Sequence, residues 1–253
     1  MNLEGIGAIV TGGASGLGGA AATRLAALGA KVTLFDLNEE AGIGHAAEIG
    51  GRFARVDVTD DEGVTLAVAE AEAAHGTTRV LINCAGVAIG QRTVNKDGRP
   101  HPLEQFRKVL EINLLGTFNV ISKVAARLVT AELNGEERGV IINTASAAAF
   151  EGQIGQAAYA ASKGGVHAMT LPIARDLAAS AIRVCTIAPG IFWTPMLAGL
   201  PEEAQVSLGQ QVPFPSRLGK PEEYAEMVAA VVANPMLNGE TIRLDGAIRM
   251  APR

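Results

Sequence analysis

Thr11-Gly12-Gly13-Ala14-Ser15-Gly16-Leu17-Gly18 joins an apolar run at residues 7–11 to an Ala-rich amphipathic segment at 16–28. The first segment reads as a β-strand and the second as a helix, so the glycines fall in the turn between them. Glycine there permits a tight turn. It also lets backbone amides and a helix N-terminus approach a pyrophosphate with no Cβ in the way. The spacing is Gly-x-x-x-Gly-x-Gly rather than the commoner Gly-x-Gly-x-x-Gly, so context has to support it. The next strand, residues 31–36, supplies that context by ending on Asp36, 18 residues after Gly18. An acid at this distance is placed to bind an adenosine ribose. Its carboxylate accepts hydrogen bonds from a free 2′-hydroxyl and repels a 2′-phosphate, and neither Ser15 nor the following Leu37 and Asn38 offers a cation. NAD is therefore expected over NADP; the competing reading makes Asp36 an N-cap of the next helix.

Working outward, strands at 7–11, 31–36, 52–58, 79–84, 140–144, 183–187 and 241–244 alternate with helices at 16–28, 39–49, 60–75, 103–133, 157–179 and 221–233. The strands are near-continuous Val/Ile/Leu runs, as expected when helices cover both sheet faces. The fold class is α/β: a Rossmann fold, a three-layer αβα sandwich with a seven-stranded parallel sheet, in a single domain spanning 1–253. Two segments break the rhythm beyond strand ends. One is a polar loop at 87–102. The other, at 190–217, carries Trp193, Met196, Leu197, Leu200, Phe214 and four prolines, and reads as a substrate lid or as a packed subdomain.

Composition excludes several classes. The 253 residues are 48% hydrophobic and carry 21 Lys+Arg against 26 Asp+Glu, a net charge of -5. That gives ample core and no basic footprint, so disorder and nucleic-acid binding are not expected. Cys84 and Cys185 lie in apolar runs and read as small core residues. The four histidines are scattered, and no metal site is expected. The uncharged stretch 5–23 is long enough for a membrane span but holds seven glycines, so it reads as the glycine turn. No basic residue precedes Arg24, which points away from a targeting peptide and toward a cytoplasmic protein.

Tyr159-Ala160-Ala161-Ser162-Lys163 puts a phenol and an ammonium on one helix face. A cation about 4 Å away at an effective dielectric near 20 is worth roughly 4 kcal/mol, or about 3 pK units. That would bring Tyr159 from near 10 to about 7, where it can donate and accept protons. Ser146, just past the fifth strand, can hydrogen-bond a substrate carbonyl or simply occupy a turn. Asn113 interrupts the apolar stripe Val109, Leu110, Thr117, Val120, Ile121. Its buried amide either supports a water on a proton path from Lys163 or clamps the helix to nearby backbone.

Together with Asn83-Cys84-Ala85-Gly86 and Pro189-Gly190, these motifs resemble the short-chain dehydrogenase/reductase family over essentially the whole chain. The resemblance implies that Tyr159 is the general acid/base, that Ser146 positions the carbonyl, that Lys163 lowers the Tyr159 pKa and binds the nicotinamide ribose, and that Asn113 holds a water. It also implies cofactor contacts from Gly12, Ser15, Gly16, Leu17, Gly18, Asp36, Asn83, Cys84, Ala85, Gly86, Pro189 and Gly190. Cys84 departs from the family, which more often has a second Asn. Stretches 145–163, 169–176, 211–219 and 238–250 are similar to the 3-hydroxyacyl-CoA dehydrogenase branch. That likeness implies NAD-dependent oxidation of short-chain 3-hydroxyacyl-CoA esters, 2-methyl-branched ones among them, in fatty acid metabolism by a homotetramer. It further implies that Asp57, Val58, Phe192 and Thr194 touch the cofactor and that Gln153 faces the substrate. Arg92, Lys96 and Arg99 in loop 90–101 either meet CoA phosphates or are solvated. The rivals are a hydroxysteroid dehydrogenase, a 3-oxoacyl-thioester reductase and, in another class, a nucleotide-binding scaffold in a multiprotein assembly.

Overall fold

Paired bulky residues in the middle of each inner strand decide how the chain layers. Successive side chains of a strand point to opposite faces, so Ile9/Val10, Leu34/Phe35, Leu81/Ile82, Ile141/Ile142 and Val184/Cys185 feed two separate cores. The computed structural model describes residues 1–194, 197 and 202–252. Its strands are β1 (Gly7–Thr11), β2 (Lys31–Asp36), β3 (Arg52–Arg55), β4 (Thr78–Asn83), β5 (Gly139–Thr144), β6 (Ile182–Pro189) and β7 (Thr241–Leu244). They form one parallel sheet in the order β3-β2-β1-β4-β5-β6-β7.

The described helices are α1 (Gly16–Ala27), α2 (Glu39–Glu48), α3 (Asp61–His75), α4 (Leu103–Leu110), α5 (Gly116–Leu128), α6 (Ala157–Ala178), α7 (Glu202–Gln210) and α8 (Pro221–Ala233). On one face Ala21, Leu25, Tyr224 and Val228 of α1 and α8 meet Val10, Ile82 and Ile142. On the other, Val64, Val68, Val120, Val124 and Ile173 of α3, α5 and α6 meet Ile9, Leu81 and Ile141. This is the three-layer Rossmann sandwich expected from the sequence. Strand order reverses between β1 and β4, and a crevice opens outside the carboxyl ends there.

Most boundaries shift by a residue or two from expectation, and three larger departures bear on the site. β3 stops at Arg55 rather than 58, because Asp57 Oδ1 accepts from Thr59 N at 2.9 Å and Thr59 Oγ1 at 2.7 Å and turns the chain off the sheet edge. The helix expected over 103–133 ends at Leu128 and changes to a π-helical turn over Glu111–Leu115. By length and hydropathy alone Leu103–Leu128 could cross a membrane, yet its apolar stripe is committed to the sheet. Part of the segment read as a lid is helical, namely α7; Pro195, Met196, Leu200 and Pro201 lie outside the described residues.

Candidate active site

The crevice is a cleft of about 800 Å³ that runs from the glycine turn to α6. Gly12 (φ +63°) turns the chain from β1, a conformation that side chains rarely tolerate. A Cβ on Gly18 would sit 2.2 Å from the Gly12 carbonyl oxygen, so α1 starts that close to the turn only with glycine there. Ser15 is extended and its side chain caps nothing. The first-turn positions Gly16, Leu17 and Gly18 therefore border the cleft with helix amides that have no intrahelical partner.

Asp36 stands at the β2 tip on the cleft wall. Asn38, not Asp36, caps α2 by accepting from Ala41 N at 3.2 Å, which removes the competing N-cap reading. Asp36 instead takes one backbone donor per oxygen, Ala14 N at 3.1 Å on Oδ2 and Asn38 N at 3.0 Å on Oδ1. Asp57 and Val58 line the same end, and Cys84, Ala85 and Gly86 form the middle. Pro189, Gly190, Phe192 and Thr194 face them from the end of β6. The described part of the expected lid adds Leu197 and Leu208 to the wall.

At the far end lie Ser146, Gln153, Tyr159 and Lys163. Ser146 follows β5, accepts from Ala148 N at 3.1 Å and stands beside the Tyr159 phenol, whose pKa its hydroxyl lowers. Lys163 reaches under the cleft and donates to the Thr144 carbonyl at 2.7 Å, with its Nζ 6.0 Å from the Tyr159 ring centroid. The surroundings of the pair push both groups away from the acidification expected from spacing alone. Burial pushes the Tyr159 phenol above its ordinary value, with partial relief from Ser146, and burial pulls Lys163 down to about 8. For each group loss of water is the dominant cause of the shift.

Two expected site residues do not reach the cleft wall. Asn83 is buried behind it and donates through Nδ2 to Asn143 Oδ1 at 2.9 Å, tying β4 to β5. Asn113 is fully buried and acts as the clamp. Its Oδ1 accepts from Val87 N at 2.8 Å, and its Nδ2 donates to Val87 O at 2.9 Å and Ser162 Oγ at 3.0 Å. Through these bonds the side chain holds the loop after β4 against α6. Cys84 is half-buried, not a core residue; its thiol lies 3.2 Å from Thr144 Oγ1 and 3.5 Å from the Tyr224 hydroxyl. Burial raises its pKa, so it is a poor nucleophile.

Sequence reading missed several wall residues, among them Ile112, Thr144, Gln156 and Met250. Ile112 is a neighbour of the stripe residue Asn113 and was in reach of the sequence. Met250 was not, because only the folded C-terminal segment brings it to Gln153, whose Nε2 donates to Ala251 O at 3.0 Å. Lys163 is the one cation among the described residues lining the cleft, and Asp36 and Asp57 are its acids. The geometry suits a dinucleotide lying across the strand ends with its ribose diol at Asp36.

Known proteins agree with this architecture. A family model for short chain dehydrogenase matches residues 7–205. The chain is 56% identical to 3-hydroxyacyl-CoA dehydrogenase type-2 of Homo sapiens, over 99% of this chain and 98% of that protein. It is 33% identical to a 3-oxoacyl-acyl-carrier-protein reductase of Thermotoga maritima, over 98% and 99% of the two chains. The crystal structure of 3-hydroxyacyl-CoA dehydrogenase type-2 from Mycobacterium avium superimposes with a TM-score of 0.94 at 42% identity, covering 98% of each chain. Likeness at the level of motifs thus extends to the whole sequence and the whole backbone, and the chain belongs to the short chain dehydrogenase family.

Proposed function

We propose that the protein is an NAD-dependent dehydrogenase that oxidises short-chain 3-hydroxyacyl-CoA esters to 3-oxoacyl-CoA. The observation that carries the reading is the single cleft that joins Asp36 at one end to Ser146, Tyr159 and Lys163 at the other. NAD when bound supplies the hydride acceptor. The chain supplies the rest. Backbone amides at Gly16–Gly18 would hold the pyrophosphate, and the remaining lone pairs of Asp36 would accept the ribose hydroxyls.

Ser146 presents its hydroxyl to the substrate oxygen and holds it against Tyr159. Tyr159, as phenolate, takes the hydroxyl proton of the substrate while charge builds at that oxygen. Lys163 has three donors, of which one is committed to Thr144 O, and the others would serve the nicotinamide ribose and the tyrosinate. Gln153 and Met250 border the acyl end, with Leu197 and Leu208 as apolar cover.

Exposed Leu115 and Phe118 on the α4–α5 surface support self-association, and a cytoplasmic homotetramer belongs to the same proposal. A thioester reductase working with NADPH would need a cation for the 2′-phosphate, and Asp36 opposes one. A scaffold would have no use for Ser146 and Lys163 beside a half-buried phenol on the cleft wall. Steady-state kinetics on 3-hydroxybutyryl-CoA, a steroid alcohol and 3-oxobutyryl-CoA, each with NAD(H) and NADP(H), test the reading. The highest kcat/KM is expected with the hydroxyacyl-CoA and NAD; preference for the steroid, or for NADP(H), would displace it.

A further inference from the structure

The peptide between Gly13 and Ala14 is gripped from both sides. Its carbonyl lies 2.9 Å from His45 Nδ1, and its N–H donates to Asp36 Oδ2 at 3.1 Å. A carbonyl only accepts, so the imidazole proton sits on Nδ1. The other ring nitrogen then accepts from the Thr23 hydroxyl at 2.9 Å. The ring comes from α2 and seats over Gly19 of α1, where a Cβ would lie 3.4 Å from its Cε1. On the far side of the peptide, Asp36 Oδ1 accepts from Asn38 N at 3.0 Å. Each carboxylate oxygen therefore has one donor from the chain and lone-pair capacity left for a ligand. That pattern fits two neighbouring hydroxyls.

We propose that His45 is a positioning residue for cofactor selection: by holding the Gly13 carbonyl it fixes the Ala14 N–H on Asp36 and keeps that carboxylate turned toward a ribose diol. The proposal rests on the NAD reading above. Without the imidazole the Gly13–Ala14 peptide can rotate, since glycine offers little resistance. Asp36 then loses a donor and with it a fixed orientation. A 2′-phosphate gains nothing from the ordered carboxylate, so the loss falls on NAD alone.

The test uses three variants, with kcat and KM for NAD and NADP on one substrate and a melting curve for each. His45→Phe keeps a ring over Gly19 but removes the donor. His45→Gln restores an N–H of similar reach, and Thr23→Val removes the group that orients the ring. His45→Phe is expected to raise the KM for NAD about five-fold with kcat unchanged, lowering the NAD/NADP ratio of kcat/KM by the same factor. His45→Gln is expected to recover most of that ratio, and Thr23→Val to lose about two-fold.

An unchanged ratio in His45→Phe overturns the proposal, as does His45→Gln behaving like His45→Phe. Should His45→Phe fail to fold, an unchanged ratio in Thr23→Val overturns it instead. A wild-type protein that prefers NADP overturns the cofactor reading itself. One that prefers NAD, with variants that keep the ratio, overturns only the role of His45.

Discussion

Tyr159 and Lys163 lose solvation on entering the fold, and that loss sets the pH behaviour of the site. Because burial raises the phenol above its ordinary value, the base form needed for alcohol oxidation grows as pH rises. Oxidation at saturating cofactor is expected to accelerate steadily from pH 7 to 10, while reduction, which uses the protonated phenol, holds its rate across neutrality. A flat oxidation profile would refute Tyr159 as the base. Lys163 behaves in the opposite sense. Its folded pKa near 8 lies below the value of 10.5 for an exposed lysine, so between those values the unfolded chain holds a proton that the folded one has released. Stability then rises with pH through that window. Below pH 8 the buried charge costs about 3 kcal/mol. Lys163→Met is therefore expected to abolish turnover yet raise stability by about 1–3 kcal/mol at pH 7. Urea melts should show the gap to wild type narrowing between pH 8 and 10; a constant gap would contradict the linkage. The pairing of Tyr159 with Lys163 was legible as i, i+4 spacing, but the sign of their pKa shifts was not, since desolvation depends on what surrounds them.

At the level of elements, the π-helical turn Glu111–Leu115 carries Asn113, whose amide bonds both the N–H and the C=O of Val87 and reaches Ser162. The loop after β4 is thereby held to α6, so Ala85 and Gly86 stay against the cleft beside the catalytic helix. Asn113→Ala would leave the half-buried N–H and C=O of Val87 without their side-chain partner. It is expected to destabilise the protein by about 2–4 kcal/mol and to lower kcat more than KM for NAD, read by denaturation and steady-state assay. A variant of wild-type stability would show that the clamp is dispensable. The strands and the glycine turn were legible because apolar runs and φ-permissive residues are local signals. The π turn was not, since its Asn113 finds its partner 26 positions earlier, beyond any local signal. The early end of β3 is intermediate: Asp57 and Thr59 are a readable turn pair, masked in the sequence by the apolar Val56 and Val58.

Across the whole molecule, Glu137 before β5 and Arg183 in β6 form a buried pair, joined through Arg183 Nε at 2.6 Å and Nη2 at 3.3 Å. The guanidinium also donates to the carbonyls of Val231, Val232 and Leu237 around the end of α8, so one cation ties the sheet to its last helix. Glu137→Ala is expected to cost about 3–5 kcal/mol in denaturant titration, because it strands a buried charge; a loss under about 1 kcal/mol would mean the carbonyls alone suffice. The C-terminal segment closes the far side of the cleft in a similar long-range way. Arg243 holds Glu151 at 2.7 and 2.8 Å, and Ile154 N donates to Pro252 O at 3.1 Å. The amino-acid sequence by itself determined the alternation of strands and helices, the glycine turn, the acid at the β2 tip and the Ser-Tyr-Lys set, because each is written in spacing or in side-chain chemistry. Only the tertiary structure decided that Asn83 and Asn113 stand behind the wall, that Met250 joins it, and that Tyr159 and Lys163 are desolvated. Those outcomes depend on which distant residues exclude water from a group or offer it a partner, and no local pattern encodes that.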